Sequence, residues 1–200
     1  MIPIKNPIKK PALFDAECRD KGNAWLATNS TCERPRDFWS PFKNDLASGF
    51  KDRCAFGAMW ISSGTVDHFV AFKVDATLTY EWDNYRYVEG WINSSKKKTS
   101  VLDPFIVKKG WFEIILPSMQ LVCTTAIPKK YLALAQDTVK NLPLGNDERI
   151  LRTRREWYRM YLDGEINLIA LKKKAPLIAD AILKNNITPK GSKNKAKSKP

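Results

Sequence analysis

Thr65-Val66-Asp67-His68-Phe69, then Tyr80-Glu81-Trp82-Asp83-Asn84-Tyr85-Arg86, then Trp91-Ile92-Asn93-Ser94-Ser95-Lys96 set an Asp-His pair and two asparagines among aromatic and aliphatic residues. They lie within residues 54–100, where short apolar runs alternate with Gly and Asn, a pattern of strands and turns followed by a short helix. His68 is the only histidine of the chain. A lone histidine on an apolar strand is more often a satisfied core residue than a catalyst, so His68 by itself decides nothing. Asn84 follows His68 by 16 residues, and Asn93 comes 9 residues later. Asn84 has a plain alternative as a turn residue after Asp83.

Outward from this segment, the chain reads as an α+β protein. On the N-terminal side, Ser40-Pro41 opens a helix, since Ser can cap and Pro fits the first helical position. Phe42, Leu46 and Phe50 then recur at helical spacing, and Gly49 marks its end. Residues 1–13 hold three prolines and three lysines with little pattern and read as extended chain, within an N-terminal arm over 1–35 expected to be mobile. On the C-terminal side, Lys108-Lys109-Gly110 separates two apolar runs between 105 and 123 and predicts a β pair. Asn146 is placed to cap a helix whose face is Ile150, Leu151, Trp157, Tyr158, Tyr161 and Leu162, with Arg149, Arg152, Arg154 and Arg155 crowded elsewhere; Gly164 ends it. A further helix is expected over Pro176–Leu183. The divisions expected are therefore the arm, a core over 36–104, a β-hairpin plus helical extension over 105–187, and a disordered basic tail over 188–200.

The chain has 200 residues, 44% of them hydrophobic, with seven Trp, nine Phe and six Tyr, enough for a sizeable core. No stretch approaches the roughly 18 apolar residues of a membrane span. The opening Met1-Ile-Pro-Ile-Lys-Asn-Pro lacks an apolar h-region, so the expected location is cytoplasmic. The net charge is +13, of which five lysines beyond Asn186 contribute part, leaving a body at about +8. Such a field draws polyanions, nucleic acid first among them, although a solubility surface has the same composition. Cys18, Cys32, Cys54 and Cys123 are scattered without a Cys-x-x-Cys pair, and free buried thiols are the expectation.

In the order and spacing of Asp67-His68, Asn84 and Asn93, residues 54–104 resemble the HNH endonuclease family, whose unit is a ββα-metal motif. The subtype is similar to the Val-Asp-His-Phe nucleases of bacterial anti-phage systems, such as those beside retrons and in Septu. They share a Trp-x-Asn-Tyr/Leu-Arg segment and an Asn-Ser-x-Lys helix. The likeness is looser over 105–162 and absent before about residue 36. It implies a ββα-metal unit followed by the β pair and a helical C-terminal region, with DNA as partner and phosphodiester hydrolysis as the reaction, in restriction or anti-phage defence. It also implies the roles: Asp67 and Asn93 as ligands of Mg²⁺ or Mn²⁺, His68 as general base, and Asn84 orienting His68 across the loop. Simple strand alternation would put Asp67 and His68 on opposite faces, so their convergence is implied by the resemblance alone.

Those residue types suit the chemistry. A neutral imidazole accepts a proton from water at pH 7, and one carboxylate plus an amide oxygen suits a hard divalent ion. Lys73, Lys96, Lys97, Arg86, Arg149, Arg152, Arg154 and Arg155 are candidate phosphate contacts. The lysines could equally be a solvated charge run, and Arg86 could pair with Glu81 or Glu89. Relatives with two Cys-x-x-Cys pairs hold a structural zinc; here Cys54-Ala-Phe-Gly57 keeps one cysteine and Val88-Glu-Gly-Trp-Ile keeps none, so no structural zinc is expected. Phe56, Trp60, Trp82 and Trp91 are expected to pack in its place. A homodimer is left open as a means of cutting both strands. Two other readings stand beside the nuclease: a non-catalytic nucleic-acid-binding protein on a degenerate HNH scaffold, and a basic RNA-binding structural protein in which His68 is merely buried.

Overall fold

The computed structural model describes residues 1–6, 8–96 and 100–190 of an α+β protein. The first segment is not the mobile arm its composition predicts. Met1, Ile8, Phe14 and Cys18 are buried, and Trp82 Nε1 donates a hydrogen bond to the Ile8 carbonyl at 3.0 Å. Asp15–Asp20 winds as a π-helix that runs directly into α1, Lys21–Thr28. Gly22 lets α1 close on the site region, because a Cβ there would overlap the Tyr80 ring. Apolar residues this sparse carry no readable period; Phe14 is held by Phe42, Trp82 and Tyr85 rings that lie far along the chain.

A 3-10 turn over Ser40–Phe42 leads into α2, Lys43–Gly49. Ser40 is the first residue of the turn rather than its cap, and the Asp37 carboxylate, two residues before Trp39, accepts from the Trp39 and Ser40 amides at 3.1 and 2.9 Å. Phe42, Leu46 and Phe50 all point into the core, as their spacing predicts.

β1, Thr65–His68, pairs antiparallel with β2, Tyr85–Val88, in a register that sets Asp67 opposite Arg86 and His68 opposite Tyr85. α3, Gly90–Lys96, then folds back onto β1, completing a ββα unit. Cys54 knits this unit to the preceding loop. Its sulfur accepts the Gly57 amide at 3.3 Å and the Glu89 amide at 3.4 Å, while the Ala55 amide donates to the Tyr87 carbonyl at 2.8 Å. These contacts join the two segments that a shared zinc would join. Of the four expected packing residues, Phe56 and Trp82 are buried; Trp60 and Trp91 are half-buried under Lys174 and Arg149, at 3.9 and 4.2 Å.

The second β pair is displaced from the sequence expectation. It joins β3, Phe112–Ile115, to β4, Gln120–Cys123, across Leu116–Met119. Lys108-Lys109-Gly110 leads into β3 instead of joining two strands. The run Pro104–Ile106 forms a 3-10 turn because Asp103 accepts the Phe105 amide at 2.9 Å and Pro104 occupies the first position.

Four helices follow among the described residues: α4 (Lys129–Asn141), α5 (Glu148–Leu162), α6 (Leu168–Lys174) and α7 (Pro176–Lys184). α4 packs on β4 and α7 on β3. Asp147, one residue after the expected Asn146, caps α5. Gly164 follows α5 with φ +78°, a left-handed conformation that glycine accepts without strain. Buried residues from Met1 to Ile182 form one continuous cluster, so the expected extension and core share an interior. All four cysteines are free. No helix among the described residues is long and apolar enough to cross a membrane. The basic tail lies beyond residue 190 and so outside the described residues, apart from its first part at Thr188–Lys190.

Candidate active site

β1, α3 and the loop before α2 surround a cleft of about 490 Å³ whose walls include Asp67, His68, Asn93, Lys96, Arg34 and Trp39. The ββα geometry brings Asn93 together with the adjacent pair Asp67 and His68. Asp67 and His68 are neighbours on β1, and both reach the cleft although strand alternation alone would separate them. Asn93 comes from the exposed side of α3 and donates from Nδ2 to Thr65 Oγ1 at 3.1 Å, which anchors the helix to the start of β1.

His68 lies between the rings of Trp39 and Tyr85, with centroids at 4.5 and 5.0 Å and near-perpendicular planes. This packing removes most water from the imidazole. Burial therefore depresses its pKa to about 4, with Lys96 pushing in the same direction and the Thr79 carbonyl and Asp37 opposing. The ring is neutral at pH 7. Its Nε2 is fully buried and has no hydrogen-bond partner among the described residues, while the ring as a whole lines the cleft.

Asn84 does not touch the imidazole. Its Oδ1 accepts the Val70 amide at 2.8 Å, and its Nδ2 donates to the Val70 and Leu78 carbonyls at 3.0 and 2.9 Å. The Phe69 amide also donates to the Asn84 carbonyl at 2.8 Å. The expected bond to His68 is thus replaced by a clasp on the loop that leaves His68. Tyr85 adds a second clasp, its hydroxyl donating to the Thr79 carbonyl at 2.9 Å.

Two of the candidate phosphate contacts at the ββα unit turn inward. Arg86 is buried and makes a two-pronged pair with Asp103, at 3.0 and 2.7 Å, neither of its anticipated partners being involved. It also donates to the Asp83 and Tyr85 carbonyls and sits 3.8 Å over the Phe105 ring. With every face engaged, it is a strut between β2 and the following loop, not a clamp. Lys96 is also buried, although a run of three lysines reads as solvated charge. Its ammonium donates to Asp67 Oδ1 and Oδ2, both at 2.9 Å, and to the His68 and Phe69 carbonyls at 3.0 and 2.9 Å. Burial raises the Asp67 carboxyl pKa and lowers that of the Lys96 ammonium, while each partner's charge pulls the other back toward the ionised pair. Lys97 lies outside the described residues. Lys73 is exposed beside Phe72 but does not line the cleft.

The arginines of α5 divide in the same way. Arg154 is fully buried, donating to the Met119 and Leu144 carbonyls at 3.0 and 2.8 Å, and cannot meet a phosphate. Desolvation lowers its pKa to about 10, which still leaves it charged at pH 7. Arg149 is exposed and paired with Asp147, and Arg155 with Glu148. Arg152 is exposed, with no ion pair within 4.0 Å among the described residues. Sequence reasoning missed Arg34 and Trp39 at the cleft. Neither carries a local signal, since only the return of the α2 approach loop onto β1 brings them there.

As a seat for a divalent ion, the cleft offers hard oxygen donors of the right kind. The Asp67 carboxylate is flanked by two main-chain carbonyls, and this group of oxygens already surrounds the positive charge of Lys96. The donor set therefore fits a hard cation, with the ammonium as its stand-in and the amide of Asn93 on the same cleft wall. Comparison of the chain with protein-family models, curated proteins and solved structures finds no match.

Proposed function

We propose that this chain is an HNH-type endonuclease that hydrolyses phosphodiester bonds in DNA. What carries the reading is one observation: Asp67, His68 and Asn93, implied by the HNH resemblance as parts of a catalytic set with Asn84, line a single cleft on a ββα unit. In this reading the neutral imidazole of His68 takes a proton from the attacking water as general base, a role worth roughly 10²- to 10⁴-fold in rate. Trp39 and Tyr85 fix the imidazole plane and keep it neutral, and Asn84 acts through the loop as a positioning residue. Arg34 supplies positive charge at the cleft for the incoming phosphate. Asp67 and Asn93 would hold Mg²⁺ or Mn²⁺. The ion, when bound, polarises the phosphate and offsets charge on the departing oxygen.

A role in restriction or anti-phage defence follows from the same family likeness, and a location in the cytoplasm is proposed with it. A second reading, a nucleic-acid-binding protein that does not cut, draws on the engagement of Asp67 by Lys96, which closes the carboxylate of an otherwise intact set. Supercoiled plasmid separates the two. Incubated with micromolar protein and Mg²⁺ or Mn²⁺, it is expected to yield nicked and linear DNA, and chelation should stop the conversion. Retarded but uncut plasmid with either ion would favour the second reading, and neither cutting nor retardation would remove both.

A further inference from the structure

The buried ammonium at the site has a consequence for the ion proposed to work there. Lys96 Nζ lies within 3.0 Å of four oxygens, two from Asp67 and one each from His68 and Phe69. Both oxygens of Asp67, the only carboxylate that lines the cleft among the described residues, are thereby engaged. A magnesium ion needs oxygens at about 2.0–2.1 Å in near-octahedral array, and shares a carboxylate with an ammonium only at close range to a like charge. The two cations therefore compete for one ligand. Lys96 itself lines the cleft, and the open volume gives its flexible stem a place to go.

We propose that Lys96 is a displaceable internal cation that sets the metal affinity of this site: its ammonium leaves Asp67 when a divalent ion binds, and then faces the cleft as a phosphate contact. This rests on the metal-binding part of the proposed function. The resting protein is closed, with Asp67 neutralised from within and the ion seat filled. Apparent metal affinity falls in proportion to the fraction of molecules in which the seat is open. DNA favours the open form, because phosphate oxygens receive the displaced ammonium. Metal and nucleic acid thus bind more tightly together than either does alone.

The test measures Mn²⁺ binding without DNA, by the loss of the free-ion electron paramagnetic resonance signal. Lys96→Met is expected to bind Mn²⁺ at least about tenfold more tightly than the unaltered protein, the ratio for a seat open in one molecule in ten. Adding Asp67→Asn to Lys96→Met should abolish that gain. Equal or weaker binding by Lys96→Met overturns the proposal. Since burying Asp67 without its partner could unfold that variant, a second measurement uses the unaltered chain. Acetylation of Lys96 by acetic anhydride, read by mass spectrometry, should be slow without metal and rise when 10 mM Mn²⁺ (roughly saturating for a weak carboxylate site) is added. Protection that Mn²⁺ leaves unchanged also overturns the proposal. Plasmid cutting without these changes would sink the lysine role and leave the nuclease reading intact. The changes without cutting would do the reverse.

Discussion

Replacing Asn84 by Ala removes one side chain and three hydrogen bonds, to the Val70 amide, the Val70 carbonyl and the Leu78 carbonyl. Asn84 is buried, so water cannot simply replace it. A net 0.5–1.5 kcal/mol for each bond, with the partners left in a partly dry loop, gives a destabilisation of about 2–4 kcal/mol. Asn84→Asp is expected to be at least as harmful. It keeps the acceptor for the Val70 amide but turns a second oxygen toward two carbonyls that need a donor. Urea unfolding of the three proteins measures the difference. Native-state hydrogen exchange locates it, with the Val70 amide losing the most protection. A change below about 0.5 kcal/mol, the scatter of ordinary surface substitutions, would refute the reasoning that Asn84 clasps this loop. So would an unaltered Val70 amide.

The depressed pKa of His68 makes a pH prediction. The folded chain binds no proton there until about pH 4, whereas the unfolded chain binds one near 6.5. Stability from this group is complete above about pH 6.5 and is lost as pH falls toward 4, by up to about 3 kcal/mol. Because His68 is the only histidine, its ring proton resonance is assigned without mutants; a midpoint near 6.5 would contradict the packing described. For the arginines of α5, Arg154→Met should destabilise by about 2–4 kcal/mol by orphaning two carbonyls. Arg152→Ala should stay within about 0.5 kcal/mol in the same unfolding assay. If Arg152 meets a phosphate, its loss lowers the log–log salt slope of duplex binding by about 0.9, measured by fluorescence anisotropy.

The sequence is legible where function and local geometry share residues. Phe42, Leu46 and Phe50 announce α2 by period, and Pro176 announces α7 by its position. The resemblance carried by Asp67, His68, Asn84 and Asn93 implies a ββα unit, and the observed β1, β2 and α3 have that order. Illegible are features set by contacts across the chain. Arg86 and Arg154 look like any other basic residues, yet each is buried because a group distant in the chain meets its guanidinium, the Asp103 carboxylate for Arg86 and the Met119 carbonyl for Arg154. Lys96 belongs to a run of lysines, and only the return of α3 onto β1 carries it beneath Asp67. The first segment is illegible for a related reason: its apolar residues are too few to show a period, and Phe14 is held by rings from far along the chain. Sequence pattern reports burial when a whole face is apolar, and is silent when one charged side chain is buried by satisfying its own donors.

The claim that most needs testing is that the imidazole of His68 takes the proton of the attacking water. Single-turnover cleavage of an end-labelled duplex at pH 8 with Mn²⁺, by the unaltered protein and by His68→Ala, measures it directly. The rate is predicted to fall by roughly 10²- to 10⁴-fold while the variant still binds the duplex and melts cooperatively. A folded His68→Ala protein that cuts within about threefold of the original rate would contradict the account.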